Sequence, residues 1–349
     1  MARELRFAIP GDLATLTGGY VYDRRLSEEL RRLGWRVDIL SLAASFPAPR
    51  EADLAQAAAS LAGLADGSLV LLDGLAFGAL PALAEAEVLR LRLVALVHHP
   101  LALEPELPPA RRAALRESER RALAAARAVI VTSETTAASL IRDYGVARDR
   151  LLVARPGTDA APPARGSAQV GTAPHLLSIG SLVPRKGHDV LIAALTEVAD
   201  LSWTCAIAGS PARAPETAAT LTAAIAKAGL GKRVALLGES VDVARLYDRA
   251  DLFVLASRHE GFGMVFAEAL QRGLPIVGTT AGAIPEVVPP EAGILVPPDD
   301  ARALAEALRR LLSDPSSRLR LAEGARRAAE RLTRWPETGG RVAAFLDAL

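Results

Sequence analysis

The chain has 349 residues, a formal net charge of +1 and 50% hydrophobic residues. That length suits two domains, each with its own core. The near-neutral charge gives no basis for nucleic acid or another polyanion as partner, and the single cysteine, Cys205, excludes an internal disulfide.

The mean hydropathy of +0.22 comes from abundant Ala and Leu. The apolar stretch Leu69–Leu83 is interrupted by Asp73, Gly74, Gly78 and Pro81, and no run reaches the roughly 18 residues of a membrane span. Met1–Arg6 lacks the apolar core of a signal peptide, so a cytoplasmic location is the expectation. Cys205, within the apolar run Trp203–Ile207, reads as a buried, inert thiol.

Short apolar strands alternate with longer helical patterns. In the first half the predicted strands are Leu5–Ile9, Val37–Leu40, Leu69–Leu72, Leu93–Val97, Ala128–Val131 and Leu151–Ala154, with helices such as Gly19–Leu33 and Pro109–Ala126 between them. In the second half they are Leu176–Ile179, Cys205–Ala208, Val234–Leu237, Leu252–Leu255, Ile276–Gly278 and Ile294–Val296. The helices there are His188–Ala199, Glu216–Ala228, Val241–Ala250, Met264–Gln271 and Ala301–Leu312, and Ser316–Leu349 is helical with a break near Trp335-Pro336. Continuous apolar strands spaced by helices predict parallel sheets covered on both faces. The fold class is therefore α/β, with two doubly wound, Rossmann-like domains facing a cleft. The predicted boundaries are 1–160, a Pro- and Gly-rich linker at 161–174, a second domain at 175–330, and a final helix at 331–349 crossing back to the first.

Ligands of open α/β sheets bind beyond the carboxyl ends of the strands, and the informative residues follow strands. After the first strand, Gly18-Gly19 precedes a helix. Glycines there let backbone N–H groups approach a phosphate, although a plain loop would look the same. The spacing fails the G-x-G-x-x-G fingerprint and no G-x-x-x-x-G-K-[ST] occurs, which argues against a nicotinamide or ATP enzyme. His98-His99-Pro100 ends the fourth strand, where an imidazole can bind a sugar hydroxyl or move a proton. With no Cys or further His nearby in sequence, no metal ligand set is completed.

Gly180-Ser181-Leu182-Val183-Pro184-Arg185-Lys186-Gly187 opens the second domain with a glycine loop, two cations and a helix start, an arrangement suited to an anion. Arg258-His259-Glu260-Gly261-Phe262-Gly263-Met264 then leads from a strand into a helix carrying Glu268, with seven residues between the two glutamates. Such a unit suits a ligand with hydroxyls at both ends and phosphates between, such as a nucleotide sugar. The neighbouring loops Leu236–Ser240 and Thr279–Glu286 could hold a base and ribose.

Taken together, the Glu-x7-Glu motif with its internal Gly-Phe-Gly, the Lys186-Gly187 loop and Ala292–Asp299 resemble the family 4 retaining glycosyltransferases of the GT-B fold. The likeness covers nearly the whole chain and is strongest from Leu176 to Pro298. It implies an N-terminal acceptor domain and a C-terminal nucleotide-sugar domain. It further implies that Glu260 and His98, rather than His99, contact the transferred sugar, and that Glu268 holds the ribose. Arg185 and Lys186 would face the diphosphate with Gly18, Gly19 and Gly180 lining it, while Phe262, Gly263 and Met264 present backbone N–H groups. The family often has Arg where Ser181 stands, and Arg185 is the candidate replacement.

The expected reaction is metal-free, front-face transfer with retention, from a UDP-, GDP- or ADP-sugar to a hydroxyl acceptor, with no cofactor. The acceptor could be a sugar, a lipid-linked group or a small molecule. Weak peripheral membrane contact through the Arg-rich helix Ala110–Ala126 stays open, although Glu117 and Glu119 favour a solvated face. The alternatives are a non-catalytic nucleotide-sugar-binding protein and a same-fold epimerase or phosphorylase.

Overall fold

The computed structural model describes residues 3–167, 173–239 and 242–349. Among them, no helix is long and apolar enough to cross a membrane. The chain forms two compact units: one runs to Gly157 and takes in Thr333–Leu349, and the other is Thr158–Leu332.

The first unit alternates strands and helices: β1 (Glu4–Pro10), α1 (Gly18–Arg32), β2 (Arg36–Leu42), α2 (Glu51–Ala62), β3 (Leu69–Asp73), α3 (Gly74–Phe77), α4 (Pro81–Glu87), β4 (Arg92–Val97), α5 (Pro109–Ala125), β5 (Ala128–Val131), α6 (Glu134–Tyr144) and β6 (Leu151–Val153). Its six strands lie in the order β2-β1-β3-β4-β5-β6, with every pairing parallel. The central strands β3 and β5 are buried along their whole length while the edge strand β2 is partly exposed. This is why the central strands read as unbroken apolar runs. The order reverses between β1 and β3, and such a switch point opens a crevice beyond the carboxyl ends of the two strands.

In the second unit the elements are β7 (His175–Ile179), α7 (His188–Glu197), β8 (Thr204–Ala208), α8 (Pro215–Lys227), β9 (Val234–Gly238), α9 (Val243–Arg249), β10 (Leu252–Val254), α10 (Met264–Gln271), β11 (Ile276–Thr279), α11 (Ile284–Val287), β12 (Gly293–Val296), α12 (Ala301–Ser313) and α13 (Pro315–Ala329). The sheet order is β12-β11-β10-β7-β8-β9, again parallel throughout. Its switch point falls between β7 and β10. One face of this sheet carries a core with Trp203, Ile207 and Leu308, and the other a core with Phe253, Phe266 and Leu270.

The stretch read as a linker, 161–174, hydrogen-bonds to the second unit where it is described. The Ala164 N–H donates to the Arg272 carbonyl at 2.8 Å, and the Arg165 N–H to the Asp248 carbonyl at 2.9 Å. Pro and Gly removed helix and strand signals there, yet the backbone donors still found partners. Residues 168–172 lie outside the described set. The last helix, α14 (Trp335–Asp347), belongs to the first unit. Trp335 packs edge-on against Tyr22 and sits so close to Gly157 that a Cβ there would come within 2.4 Å of its Cα.

Candidate active site

In the second unit the site grows from the switch point. The loops following β7 and β10 touch because Gly187, at φ 64°, has no side chain. A Cβ there would lie 1.9 Å from the Ala256 carbonyl oxygen. The Arg258 N–H donates to the Arg185 carbonyl at 2.8 Å. The Arg258 guanidinium reaches the Pro184 carbonyl, Asp189 at 3.0 and 2.6 Å, and Asp299 at 2.6 Å. These bonds fix the 3-10 turn Pro184–Lys186.

From that turn both predicted cations converge on Glu260. Lys186 Nζ donates to Glu260 Oε1 at 2.6 Å, as does Ser257 Oγ at 2.6 Å. Arg185 Nη1 donates to the His259 carbonyl at 2.9 Å and stands 3.4 Å from Glu260 Oε2. Burial alone would raise the Glu260 pKa, but the charges of Lys186 and Arg185 outweigh it and bring it down to about 2. Two cations and one carboxylate thus stand together at the turns that follow β7 and β10. Gly180 gives the lysine stem its room, since a Cβ there would lie 3.1 Å from Lys186 Cδ. Buried His188 reaches the Gly180 carbonyl at 3.2 Å, and burial lowers its pKa to about 4, so it is neutral.

α10 starts immediately after Gly263, which caps it at φ 90°. The Phe262 side chain is buried in the core, so only its backbone groups remain for a ligand. Met264 is the first residue of the helix. The loop after β11 closes on the same place: the Ala283 N–H donates to the Glu260 carbonyl at 2.9 Å and Thr279 Oγ1 to the Ser257 carbonyl at 2.6 Å. Further along α10, Glu268 Oε2 accepts from the Tyr247 hydroxyl at 2.9 Å. Burial raises the Glu268 pKa to about 7; the Tyr247 hydrogen bond opposes this and Asp159 adds to it. Of the loop 236–240, Ser240 lies outside the described residues.

The first unit carries a second cluster, also at its switch point. Gly18 and Gly19 form the first turn of α1, which holds no acidic residue and ends in Arg31 and Arg32, complementing the helix dipole. A Cβ on Gly19 would lie 3.3 Å from His98 Cδ2, so the ring stands against this turn. His98 Nε2 is 3.0 Å from Asp23 Oδ1 and 3.5 Å from Asp73 Oδ2. His99 turns elsewhere, its Nε2 2.8 Å from Glu104 Oε1. The three groups Asp23, Asp73 and His98 bring one ligand-type atom each within 4.8 Å of one another. The direct contact of Nε2 with Asp23 is a hydrogen bond that uses the ring proton.

Sequence reasoning missed Asp23, Asp73, Ser257, Tyr247 and Arg258. Asp23 had a signal: with Leu26, Ser27 and Leu30 it forms an i, i+3, i+4, i+7 stripe, and all four are buried. Asp73 ends a fully buried strand and caps α3 through a 2.8 Å bond from the Leu75 N–H. Tyr247 and Arg258 gave no local signal, because their partners are distant in sequence.

Two doubly wound parallel-sheet units, each with its polar cluster beyond the strand ends, make up the architecture of the GT-B fold. Residues 17–161 match the family model Glycosyltransferase Family 4, and residues 164–328 match Glycosyl transferases group 1. The chain belongs to the family 4 glycosyltransferases. A D-inositol 3-phosphate glycosyltransferase of Xylanimonas cellulosilytica is 34% identical over 247 residues, covering 66% of this chain and 58% of that protein. The chain thus spans little more than half the length of this curated relative. Among solved structures, a sucrose-phosphate synthase from Thermosynechococcus elongatus superposes with a TM-score of 0.84 at 23% identity, over 99% of this chain and 98% of that one. Anabaena HepE, solved with UDP-glucose, gives 0.78 at 20% identity over 99% and 100%. These two likenesses concern the fold.

Proposed function

We propose that this chain is a retaining glycosyltransferase that moves a sugar from a nucleoside diphosphate sugar to a hydroxyl acceptor by a front-face reaction without a divalent metal. The observation that carries the reading is the convergence of Lys186 and Arg185 on Glu260 beside the start of α10. A departing diphosphate gains negative charge, and fixed cations with a helix N-terminus stabilise that charge as it grows. They supply what a metal would otherwise supply. Glu268, oriented by Tyr247, accepts from the ribose hydroxyls.

Retention by double displacement needs a free carboxylate nucleophile beside the anomeric carbon. Glu260 is neutralised by two cations and hydrogen-bonded to Ser257, which makes it a poor nucleophile and a good anchor for sugar hydroxyls. In the front-face course the bond from the anomeric carbon to the phosphate oxygen breaks. The acceptor oxygen bonds the same face, and its proton passes to the departing phosphate. The UDP-glucose in HepE and the inositol phosphate acceptor in the relative's name support the donor and acceptor classes.

The test is a thermal-shift screen of UDP-, GDP- and ADP-sugars, since a bound donor raises the melting point. Transfer to a panel of alcohols and NMR of the product's anomeric configuration then follow. A stabilising donor and a product of unchanged configuration are expected. An inverted product, or an isomerised sugar formed from donor alone, would overturn the reading.

A further inference from the structure

We propose that Asp23 and Asp73 are positioning residues that hold the His98 ring as a fixed, doubly protonated donor, so that it serves the transferred sugar through Nδ1–H and takes up no proton during the reaction. The role toward the sugar rests on the function proposed above; the state of the ring does not.

Geometry comes first. Nε2 stands between two carboxylate oxygens, 3.0 Å from Asp23 Oδ1 and 3.5 Å from Asp73 Oδ2. Carboxylates accept, so Nε2 carries a proton. The other nitrogen, Nδ1, makes no hydrogen bond among the described residues and is left for an outside partner. The ring is held on its remaining sides by Tyr22, edge-on with centroids 5.3 Å apart, and by the first turn of α1 at Gly19. The backbone behind it is tied by Thr132 Oγ1, which donates to the His98 carbonyl at 3.3 Å.

Charge then decides the protonation state. Asp23 is fully buried and Asp73 nearly so. Asp23 Oδ2 is buried without a hydrogen-bond partner, and Asp73 Oδ1 is committed to the Leu75 N–H. Among the described residues the ring meets the two acids and Tyr22 from α1, while Thr132 beyond β5 bonds the backbone carbonyl. Trp335 of α14 packs behind Tyr22, with the Arg25 guanidinium over its ring and Arg341 acting on Tyr22. Besides burial, the largest influences on Asp23 are His98 and Asp73. Stripping the ring of its second proton would therefore leave two acids buried without their main counter-charge, which is costly. Burial alone would lower the His98 pKa, but Asp23 and then Asp73 raise it well above the ordinary imidazole value. Burial also raises Asp23, so on acidification the next proton goes to Asp23 and the ring stays charged. An imidazole already carrying both protons cannot act as general base.

The test uses the full chain with ¹⁵N-histidine, exchanged free of metal, and long-range ¹H–¹⁵N correlations from pH 5.5 to 9, with His98 assigned by His98→Gln. Two protonated His98 nitrogens at pH 8 are expected in the wild type. In Asp23→Asn the ring should titrate at about 6.5, the ordinary value, and the variant's kcat/KM relative to that of the wild type at the same pH should fall about tenfold between pH 6 and 8. Asp73→Asn, expected to shift the ring in the same direction, serves if the first variant melts below assay temperature. A neutral His98 in the wild type at pH 7.5 would overturn the proposal. So would unchanged His98 signals in both folded variants, or His98 signals that move on adding Zn²⁺ or Mn²⁺. Because the spectra need no substrate, failure of the ring assignment is separable from failure of the transfer reaction.

Discussion

Lys186 Nζ lies 2.6 Å from Glu260 Oε1, although 74 residues separate them in the chain. The contact exists because β7 and β10 are neighbours in the sheet, which sets the turns that follow them side by side. It gives each residue a defined place before any ligand arrives: the carboxylate is kept ionised and the ammonium is kept from swinging into solvent. A site prepared in this way loses little entropy when a diphosphate forms.

Removing that ammonium should be felt mainly in the chemical step. Lys186→Ala is expected to lower transfer by about 10²-fold or more, the scale of losing one transition-state donor. Glu260 keeps Arg185 and Ser257 and stays folded in. Lys186→Arg should recover part of the loss. Steady-state kinetics check this, and near-wild-type turnover in Lys186→Ala would remove the lysine from the mechanism.

Donor affinity should depend on pH through Glu268. Its folded pKa is raised from 4.5 to about 7, so between those values the native state binds more protons than the unfolded one. Stability therefore falls as pH rises across that window. Ribose hydroxyls are better accepted by the ionised form. Affinity for a nucleoside diphosphate sugar, whose phosphates do not titrate here, should rise up to about tenfold from pH 6 to 8. Glu268→Gln should abolish the slope, and Tyr247→Phe, which deletes a bond that lowers the pKa, should move it to higher pH. Calorimetry on the three proteins measures it; a slope surviving in Glu268→Gln would assign it elsewhere.

Arg258 touches the Arg185 carbonyl, the Pro184 carbonyl, Asp189 and Asp299. Arg258→Met keeps the stem and the backbone bond to Arg185 but loses the guanidinium bonds to Pro184, Asp189 and Asp299 that brace the turn carrying both cations. The expected result is a loss in kcat/KM on the order of tenfold, the consequence of misplacing groups that must be aligned, together with a lower melting temperature. A melting change with unaltered kinetics would limit Arg258 to stability.

Gly187 tests the packing of the two loops. Alanine there must adopt φ 64° and place its Cβ 1.9 Å from the Ala256 carbonyl oxygen. Left-handed backbone costs roughly 1–2 kcal/mol for a non-glycine residue, and the collision adds to it. Gly187→Ala should lose more than about 2 kcal/mol in urea unfolding, on the scale of strained functional backbone. A loss near zero would mean that the loops do not pack as described.

The sheets were legible because buried strands such as Leu69–Asp73 and Ala128–Val131 are apolar without interruption. Their order was not, since nothing local tells β7 to pair with both β8 and β10. For the same reason Lys186 and Glu260 were each identifiable, from glycine turns after strands, while their contact was not. Asp23 shows a different limit: its position on the buried stripe of α1 was readable, but a carboxylate there makes sense only once His98 and Asp73 are known to face it. Asp73 was read as a break in an apolar run, whereas its charge is used where the strand ends. Composition marked 161–174 as a linker but not its hydrogen bonds, because pairing with Arg272 and Asp248 leaves no sequence trace.

The most direct measurement is a crystal structure with an intact nucleoside diphosphate sugar bound. The diphosphate should lie within hydrogen-bond distance of Lys186 Nζ and the first N–H groups of α10, with the ribose hydroxyls on Glu268. A donor bound elsewhere, with Lys186 still closed on Glu260 and Glu268 still closed on Tyr247, would contradict the account.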